Sequence, residues 1–233
     1  RSRDKQGISA LHTQNIAPGT NVALQMGGHK SSGAYSRQNS GRRSYGTSFN
    51  LLRQHYQLQG AAVHTRMDNM ENGGMTLDLS DPDDPLLTPN MDAATTSHIK
   101  QSILLNQTLR VGNASTLPDS LNQLIAKSWL DISHRLKYER QSFLYKEQSA
   151  SVNSFYNNVY YDSTATYDST LYTNLSNEIQ LKLSDQWNRY FPIGIIAGIK
   201  HQAQRFYNFR DFLETNAVTR YNNISVQARA FNN

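Results

Sequence analysis

Residues 27–48 most constrain what this chain can fold into, because they contain no Leu, Ile, Val, Phe or Trp. Ordering a backbone costs about 1–2 kcal/mol per residue, and so polar a segment buries too little apolar surface to offset that cost. We therefore expect it to be unfolded alone and to take its shape from something outside it. Either the body of the same protein holds it, or neighbouring subunits or a polyanion do, and we favour the second interpretation.

Charge divides the chain into blocks. Residues 1–66 carry nine Lys or Arg against one acid and are +8, residues 67–99 hold seven acids with no Lys or Arg, and the rest adds +4 to reach the total of +5. Such segregation indicates that different parts of the chain face different electrostatic surroundings. We predict a basic Gly/Ser-rich arm over 1–66, an acidic Pro-rich linker over 67–91 and a body over 92–233.

Apolar residues in the body recur at spacings of three, four and seven, which predicts helices. The resulting fold class is mainly α: a helical body with one long helix, an extended N-terminal arm and a short C-terminal strand. Residues 151–168 lack a clear period and fit a strand, a packed loop or both. The predicted helices are Phe49–Gly60 in the arm, then Asp92–Val111, the long one at Pro118–Gln148, Leu171–Tyr190 and Ile195–Asn216; the predicted strand is Ile224–Ala230.

Composition narrows the class of protein. The absence of cysteine excludes disulfides, thiolate metal sites and a cysteine nucleophile. A hydrophobic fraction of 37% is low for a globular chain and indicates many polar contacts around a thin core. The longest uncharged apolar stretch, Phe191–Ile199, is shorter than the roughly 20 residues of a membrane-spanning helix, so we expect no membrane span. Because the chain begins at Arg1, we take it as processed or as part of something longer.

A second kind of signal comes from arginines interleaved with tyrosines in the arm. Arg37, Arg42 and Arg43 lie between Tyr35 and Tyr45 in the run AYSRQNSGRRSYG. Arginine neutralises phosphate and tyrosine offers a stacking face, a composition typical of flexible nucleic-acid-binding segments. Basic arms also thread between subunits without nucleic acid, so these five residues are candidates for binding nucleic acid or a protein partner.

Aromatic residues in the body indicate a contact surface between subunits. Tyrosine combines a large apolar face with a hydroxyl group and is enriched at protein interfaces. We assign Trp129, Tyr156, Tyr160 and Tyr161 to such an interface, although they could also fill a polar core.

No catalytic signature is found. Asp131 and His134 would share a helix face, but a carboxylate near a histidine is not a site without a third partner and a pocket. The acidic run Asp78, Asp81, Asp83 and Asp84 lacks the glycine and terminal glutamate of a calcium loop, which favours a solvated linker. We therefore expect no enzyme activity, no cofactor and no metal.

These observations favour an architectural function. We expect a structural subunit of a large assembly, with a virion protein (capsid, portal, tail or nucleocapsid) as the first interpretation and the virion as its location. Its partners would be other copies or other subunits, with nucleic acid along the arm. The alternatives are an accessory protein of a ribonucleoprotein and a non-viral component of a secretion or organelle complex.

Overall fold

The computed structural model describes residues 5–78, 86–91, 93–114, 126–148, 166–184, 194–210 and 217–231. Every regular element in these ranges is a β-strand. The described part therefore contains no helix that is long and apolar enough to cross a membrane. The strands are β1 (Lys5–Ala17), β2 (Thr20–Ser31), β3 (Ser40–Leu52), β4 (Tyr56–Glu71), β5 (Met75–Asp78), β6 (Leu86–Pro89), β7 (Ala94–Ala114), β8 (Ala126–Glu147), β9 (Thr166–Leu183), β10 (Gly194–Arg210) and β11 (Ala217–Phe231).

Nine of these strands form one antiparallel sheet in the order β1-β2-β3-β4-β7-β8-β9-β10-β11. Each of the nine strands pairs with the strand that follows it in this order. β5 and β6 form a separate two-stranded sheet in the connection between β4 and β7. Connections alternate between two ends of the sheet. Residues 18–19 and 53–55 make tight connections at one end, which we call the turn end, whereas 32–39 and 72–93 are longer connections at the other, which we call the loop end.

The strand register sorts the side chains onto two very different faces. Successive residues of a strand point to opposite faces, while residues paired across strands share a face. One face, which we call the apolar face, includes the row Tyr56, Leu109, Ile132, Leu181, Ala197 and Ala228. The other, which we call the polar face, includes the row Asn21, Asn50, Gln59, Asn106, Arg135, Glu178 and Lys200.

The apolar face is not covered by any other part of the described chain. Met91 and Ala94 are the only buried apolar residues among the described ones, with 4% and 2% of their surface exposed. Ile103 is 54% exposed and Ile199 is 50% exposed, although both lie near the middle of long strands. The sheet therefore lacks the apolar core that a water-soluble sheet would form by packing one face against another layer.

The prediction of a mainly α-helical body is wrong. The described parts of the predicted long helix at Pro118–Gln148 and of the helices at Leu171–Tyr190 and Ile195–Asn216 belong to β8, β9 and β10. Asp92–Val111 likewise corresponds to β7. An apolar spacing of four is even, so it places residues on one face of a strand as well as on one stripe of a helix.

The predicted N-terminal arm is also part of the sheet. The helix predicted at Phe49–Gly60 is the hairpin of β3 and β4, and the polar residues of β3 are held by backbone pairing to β2 and β4 of the same chain. The boundary drawn at residue 66 lies within β4. The strand predicted at Ile224–Ala230 lies within the longer β11.

Candidate functional site

The polar face is the candidate functional site, and its centre is an ion-pair cluster on β7 and β8. Glu139 is 8% exposed and accepts from two lysines: its Oε1 lies 3.2 Å from Lys100 Nζ and its Oε2 lies 3.0 Å from Lys137 Nζ. Gln141 Nε2 donates to the same Oε1 at 2.7 Å. The register brings these groups together, since all four residues lie on the polar face of adjacent strands.

A second group of polar contacts lies nearer the turn end. Arg135 Nη1 is 3.8 Å from Glu178 Oε2, and Arg135 Nε donates to Asn106 Oδ1 at 3.2 Å. These contacts join β7, β8 and β9 across the polar face. Both signs of charge are therefore held in fixed positions on a surface that also offers many amide and hydroxyl groups to water.

Three aromatic rings contact one another on the polar face of β9, β10 and β11. The ring centroids of Tyr172 and Phe206 are 4.7 Å apart, and those of Phe206 and Tyr221 are 6.2 Å apart with the planes nearly perpendicular. Such tilted and edge-on pairs are favourable geometries for aromatic rings. The rings add flat apolar surface to a face that also carries the exposed side chains of Leu11, Val63 and Phe143.

The apolar face contains a run of polar side chains that are hydrogen-bonded to one another. Tyr56 Oη donates to Gln107 Oε1 at 3.1 Å, and Gln107 Nε2 lies 2.8 Å from His134 Nδ1. His134 Nε2 in turn lies 2.8 Å from Asn177 Oδ1. Polar groups that satisfy each other in this way can be removed from water at a much lower cost than unpaired ones.

The same face has a wide groove and, towards the loop end, an ion pair. The groove has a volume of about 800 Å³ and is lined by apolar side chains such as Leu24 and Ile103. Nearer the loop end, Arg66 Nε lies 2.8 Å from Asp68 Oδ2. Ser97 Oγ donates a further hydrogen bond to Asp68 Oδ1 at 2.7 Å.

The structure separates the five residues predicted to bind nucleic acid or a partner. Tyr35 and Arg37 lie in the connection between β2 and β3, where Arg37 has a positive φ of 58°. Arg42, Arg43 and Tyr45 lie on β3, with Arg42 on the polar face and the other two on the apolar face. The arginines are therefore not one continuous surface, and their predicted role stays a prediction.

Of the predicted interface residues, only Trp129 is described. It lies on β8 next to the register shift between Val111 and Gly112 and is 47% exposed. Tyr156, Tyr160 and Tyr161 lie outside the described residues.

The structure does not bring the candidate catalytic and metal-binding residues together in a site. Asp131 and His134 are three residues apart on β8, so they lie on opposite faces of the sheet. Among the described residues no group of three or more His, Asp or Glu could hold a metal ion. Of the acidic run only Asp78 is described, and the other three aspartates fall outside the described ranges.

Sequence reasoning did not identify the two faces of the sheet or which residues belong to each face. The available signal was alternation, for example in Lys137, Glu139 and Gln141 against Leu136 and Tyr138. It was weak in any single segment, because each strand carries a few residues that break the pattern.

Comparison with known proteins identifies a family for this chain. The model of the family described as "Putative porin" matches residues 1–233, the whole chain. No curated protein matches significantly. No solved structure matches significantly either.

Proposed function

Because the chain belongs to this porin family, we propose that its nine-stranded sheet is part of the wall of a membrane pore. The apolar face lies against lipid, and the polar face lines a water-filled passage for ions and small hydrophilic solutes. The proposed location is an outer membrane, where pores built from strands occur.

The observation that carries this proposal is the division between the two faces. Leu109 is 45% exposed and Leu181 is 44% exposed on the apolar face, whereas Glu139 on the polar face is 8% exposed and paired with lysines. In water this arrangement would expose a large apolar surface without cover. In a bilayer, lipid covers the apolar face and water fills the space beside the polar one, as in transmembrane barrels.

The length of the apolar region fits a bilayer. We call the apolar-face residues in the rows from Ile103 to Val111 the apolar belt; in these rows the described face carries no Asp, Glu, Lys or Arg. The distance from Ile103 to Val111 along an extended strand is about 27 Å, or about 20 Å across a membrane for strands tilted by about 40°. Members of the belt include Leu24, Phe49, Leu58, Leu105, Leu136, Ile179, Ile199 and Val226.

A lipid environment also sets a requirement on the sheet edges. β1 and β11 are the first and last strands of the sheet, and each has one side without a strand partner in the described part of the chain. Unpaired backbone groups are costly in lipid, so a membrane sheet closes into a barrel. In an antiparallel order of nine strands β1 and β11 point the same way, so a fully antiparallel closure takes an odd number of additional strands.

Conductance tests the proposal directly. We expect the purified protein, added from detergent to a planar lipid bilayer, to insert and give discrete current steps. Heat-denatured protein and detergent alone serve as controls and should give none. Failure of the folded protein to associate with vesicles or to conduct would contradict a pore function.

A function as a virion subunit and a function as an accessory protein of a ribonucleoprotein stay predictions. The absence of enzyme activity stays a prediction as well. The exposed apolar face gives no specific support to the hypothesis that the N-terminal arm binds nucleic acid. Salt-dependent binding of nucleic acid by the same preparation would revive the ribonucleoprotein interpretation.

A further inference from the structure

Three arginines lie in one row of the apolar face, immediately beyond the apolar belt. Arg140 on β8 pairs with Thr173 on β9, which pairs with Arg205 on β10, which pairs with Arg220 on β11. Adjacent strands are about 4.8 Å apart, so the guanidinium groups project from a short line of backbone positions. We call Arg140, Arg205 and Arg220 the arginine row; all three are exposed.

This arrangement is electrostatically unfavourable without an anion. Arg205 lies directly opposite Arg220, and like charges in such cross-strand positions destabilise a sheet. No ion pair of the arginine row is found among the described residues. In the described nine-stranded sheet Asp68 is the one acid on the apolar face, and it lies on β4 in an ion pair with Arg66.

The neighbours of the arginine row are apolar. Two residues further towards the turn end lie Tyr138, Leu175 and Ala203, and beyond them the belt continues with Ile179 and Ile199. Leu175, Ile179 and Ile199 are 42%, 46% and 50% exposed. A ligand that covers this region must present a negative charge at one end and an apolar surface at the other.

The same border of the apolar face also carries basic residues on β2, β3 and β4, which lie across β7 from the arginine row. Arg43 on β3 lies directly opposite Arg66 on β4, again on the apolar face and just beyond Tyr45. Lys30 on β2 occupies a similar position beyond Met26. The positive border therefore follows the loop end of the belt on both sides of β7.

We propose that the arginine row binds the phosphate group of an anionic lipid whose acyl chains lie on the apolar belt. Guanidinium groups form paired hydrogen bonds with phosphate oxygens, which suits Arg205 and Arg220 as neighbours. A free phosphate ion would neutralise the arginines but leave the belt uncovered, whereas a lipid does both. This inference rests on the proposed pore function, since it requires the belt to lie in a membrane.

Lipid retention by charge-matched variants tests this inference. The test variant Arg140→Gln/Arg205→Gln/Arg220→Gln removes the row. The control variant Arg135→Gln/Lys200→Gln/Arg229→Gln removes three cations from the polar face of the same three strands. Each protein is inserted into vesicles of equal phosphatidylglycerol and phosphatidylcholine, extracted, and examined by native mass spectrometry for the lipids that stay bound.

We expect the unchanged protein and the control variant to retain phosphatidylglycerol preferentially, and the test variant to lose that preference by roughly tenfold or more. Excess inorganic phosphate should not displace the lipid. Equal retention by both variants, or displacement by inorganic phosphate, would overturn the inference. Conductance is recorded on the same vesicles: current without lipid preference rejects this inference alone, whereas absence of insertion rejects the pore function and this inference with it.

Discussion

At the scale of single residues, neighbouring positions in a strand have opposite requirements. Ile179 lies in the middle row of the apolar belt and is 46% exposed, while Gln180 lies on the polar face and pairs with Ser133. The same chemical change at the two positions therefore tests the assignment of the faces. In a water-soluble protein an arginine at an exposed isoleucine would be harmless.

We predict that Ile179→Arg strongly impairs folding into vesicles and that Gln180→Arg does not. An arginine facing lipid near the middle of a bilayer costs about 2–4 kcal/mol. One at position 180 stays in water beside the carboxylate of Glu178, to which Gln180 donates a hydrogen bond. The folded fraction after refolding into vesicles can be read from the difference in gel mobility between heated and unheated samples. Equal folding of the two variants would contradict the proposed orientation.

At the scale of elements, one arginine at the turn end forms hydrogen bonds with both neighbouring hairpins, β1–β2 and β3–β4. Arg53 Nη1 donates to Pro18 O at 2.8 Å and to Leu52 O at 2.9 Å, and its Nη2 donates to Thr20 Oγ1 at 3.1 Å. Gly19 has a φ of 65°, and a Cβ there would lie 2.5 Å from Leu52 O, so the glycine is needed for this close approach. The two turns thus form one packed unit.

We predict that Arg53→Ala loosens the contact between these hairpins by about 1–3 kcal/mol, because three acceptors lose their charged donor. Hydrogen exchange at the Leu52 amide, which donates to Gly19 O at 2.6 Å, should become faster. Arg42→Ala, an exposed change on β3, is the matched control and should leave that exchange rate unchanged. No change in Arg53→Ala would show that the backbone contact alone holds the turns together.

The pairing of β9 with β10 depends on a second glycine. A Cβ at Gly198 would lie 2.9 Å from Gln180 Cγ and 3.1 Å from Ile179 O, whereas one at Gly60 would have no contact closer than 3.9 Å. We predict that Gly198→Ala destabilises the protein by about 1–3 kcal/mol through this overpacking, while Gly60→Ala is close to neutral. Urea unfolding midpoints of the two variants in vesicles check this, and similar midpoints would contradict it.

The elements also show why sequence alone predicted the wrong fold. Leu171, Leu175, Ile179 and Leu183 are spaced by four, which suits a helical stripe and one face of a strand equally well. Leu181 is the residue that separates the two, because it shares the strand face but lies off the stripe. In a membrane sheet both surfaces face a solvent, so neither a buried core nor a continuous apolar run marks the strands.

Other features could be predicted only in part. The low hydrophobic fraction predicts many polar contacts around a thin core, but in the structure it reflects a face lined by Asn, Gln and charged residues. The pairing of Arg140, Arg205 and Arg220 in one row depends on the register between four strands, and nothing local in the sequence determines that register.

At the scale of the whole molecule, the polar face combines charges of both signs, and Glu139 balances two of the cations. Lys100 and Lys137 approach its two oxygens at 3.2 and 3.0 Å, so the cluster carries a net charge of about +1 in its present form. On one side of the cluster β9 and β10 contribute Asn174 and Gln202, which are hydrogen-bonded to each other and carry no charge. A change at Glu139 therefore alters the electrostatic field in the proposed passage.

We predict that Glu139→Gln shifts the ion selectivity of the pore towards anions, because it leaves both lysines without their carboxylate. The measurement is the reversal potential of the current under a potassium chloride gradient, from which the ratio of chloride to potassium permeability follows. Asp68→Asn is the matched control: it removes the same charge from the apolar face, outside the proposed passage, and should leave the reversal potential unchanged. An equal shift in both variants would mean that net charge rather than position sets selectivity, and a shift in Asp68→Asn alone would place the passage on the opposite face of the sheet.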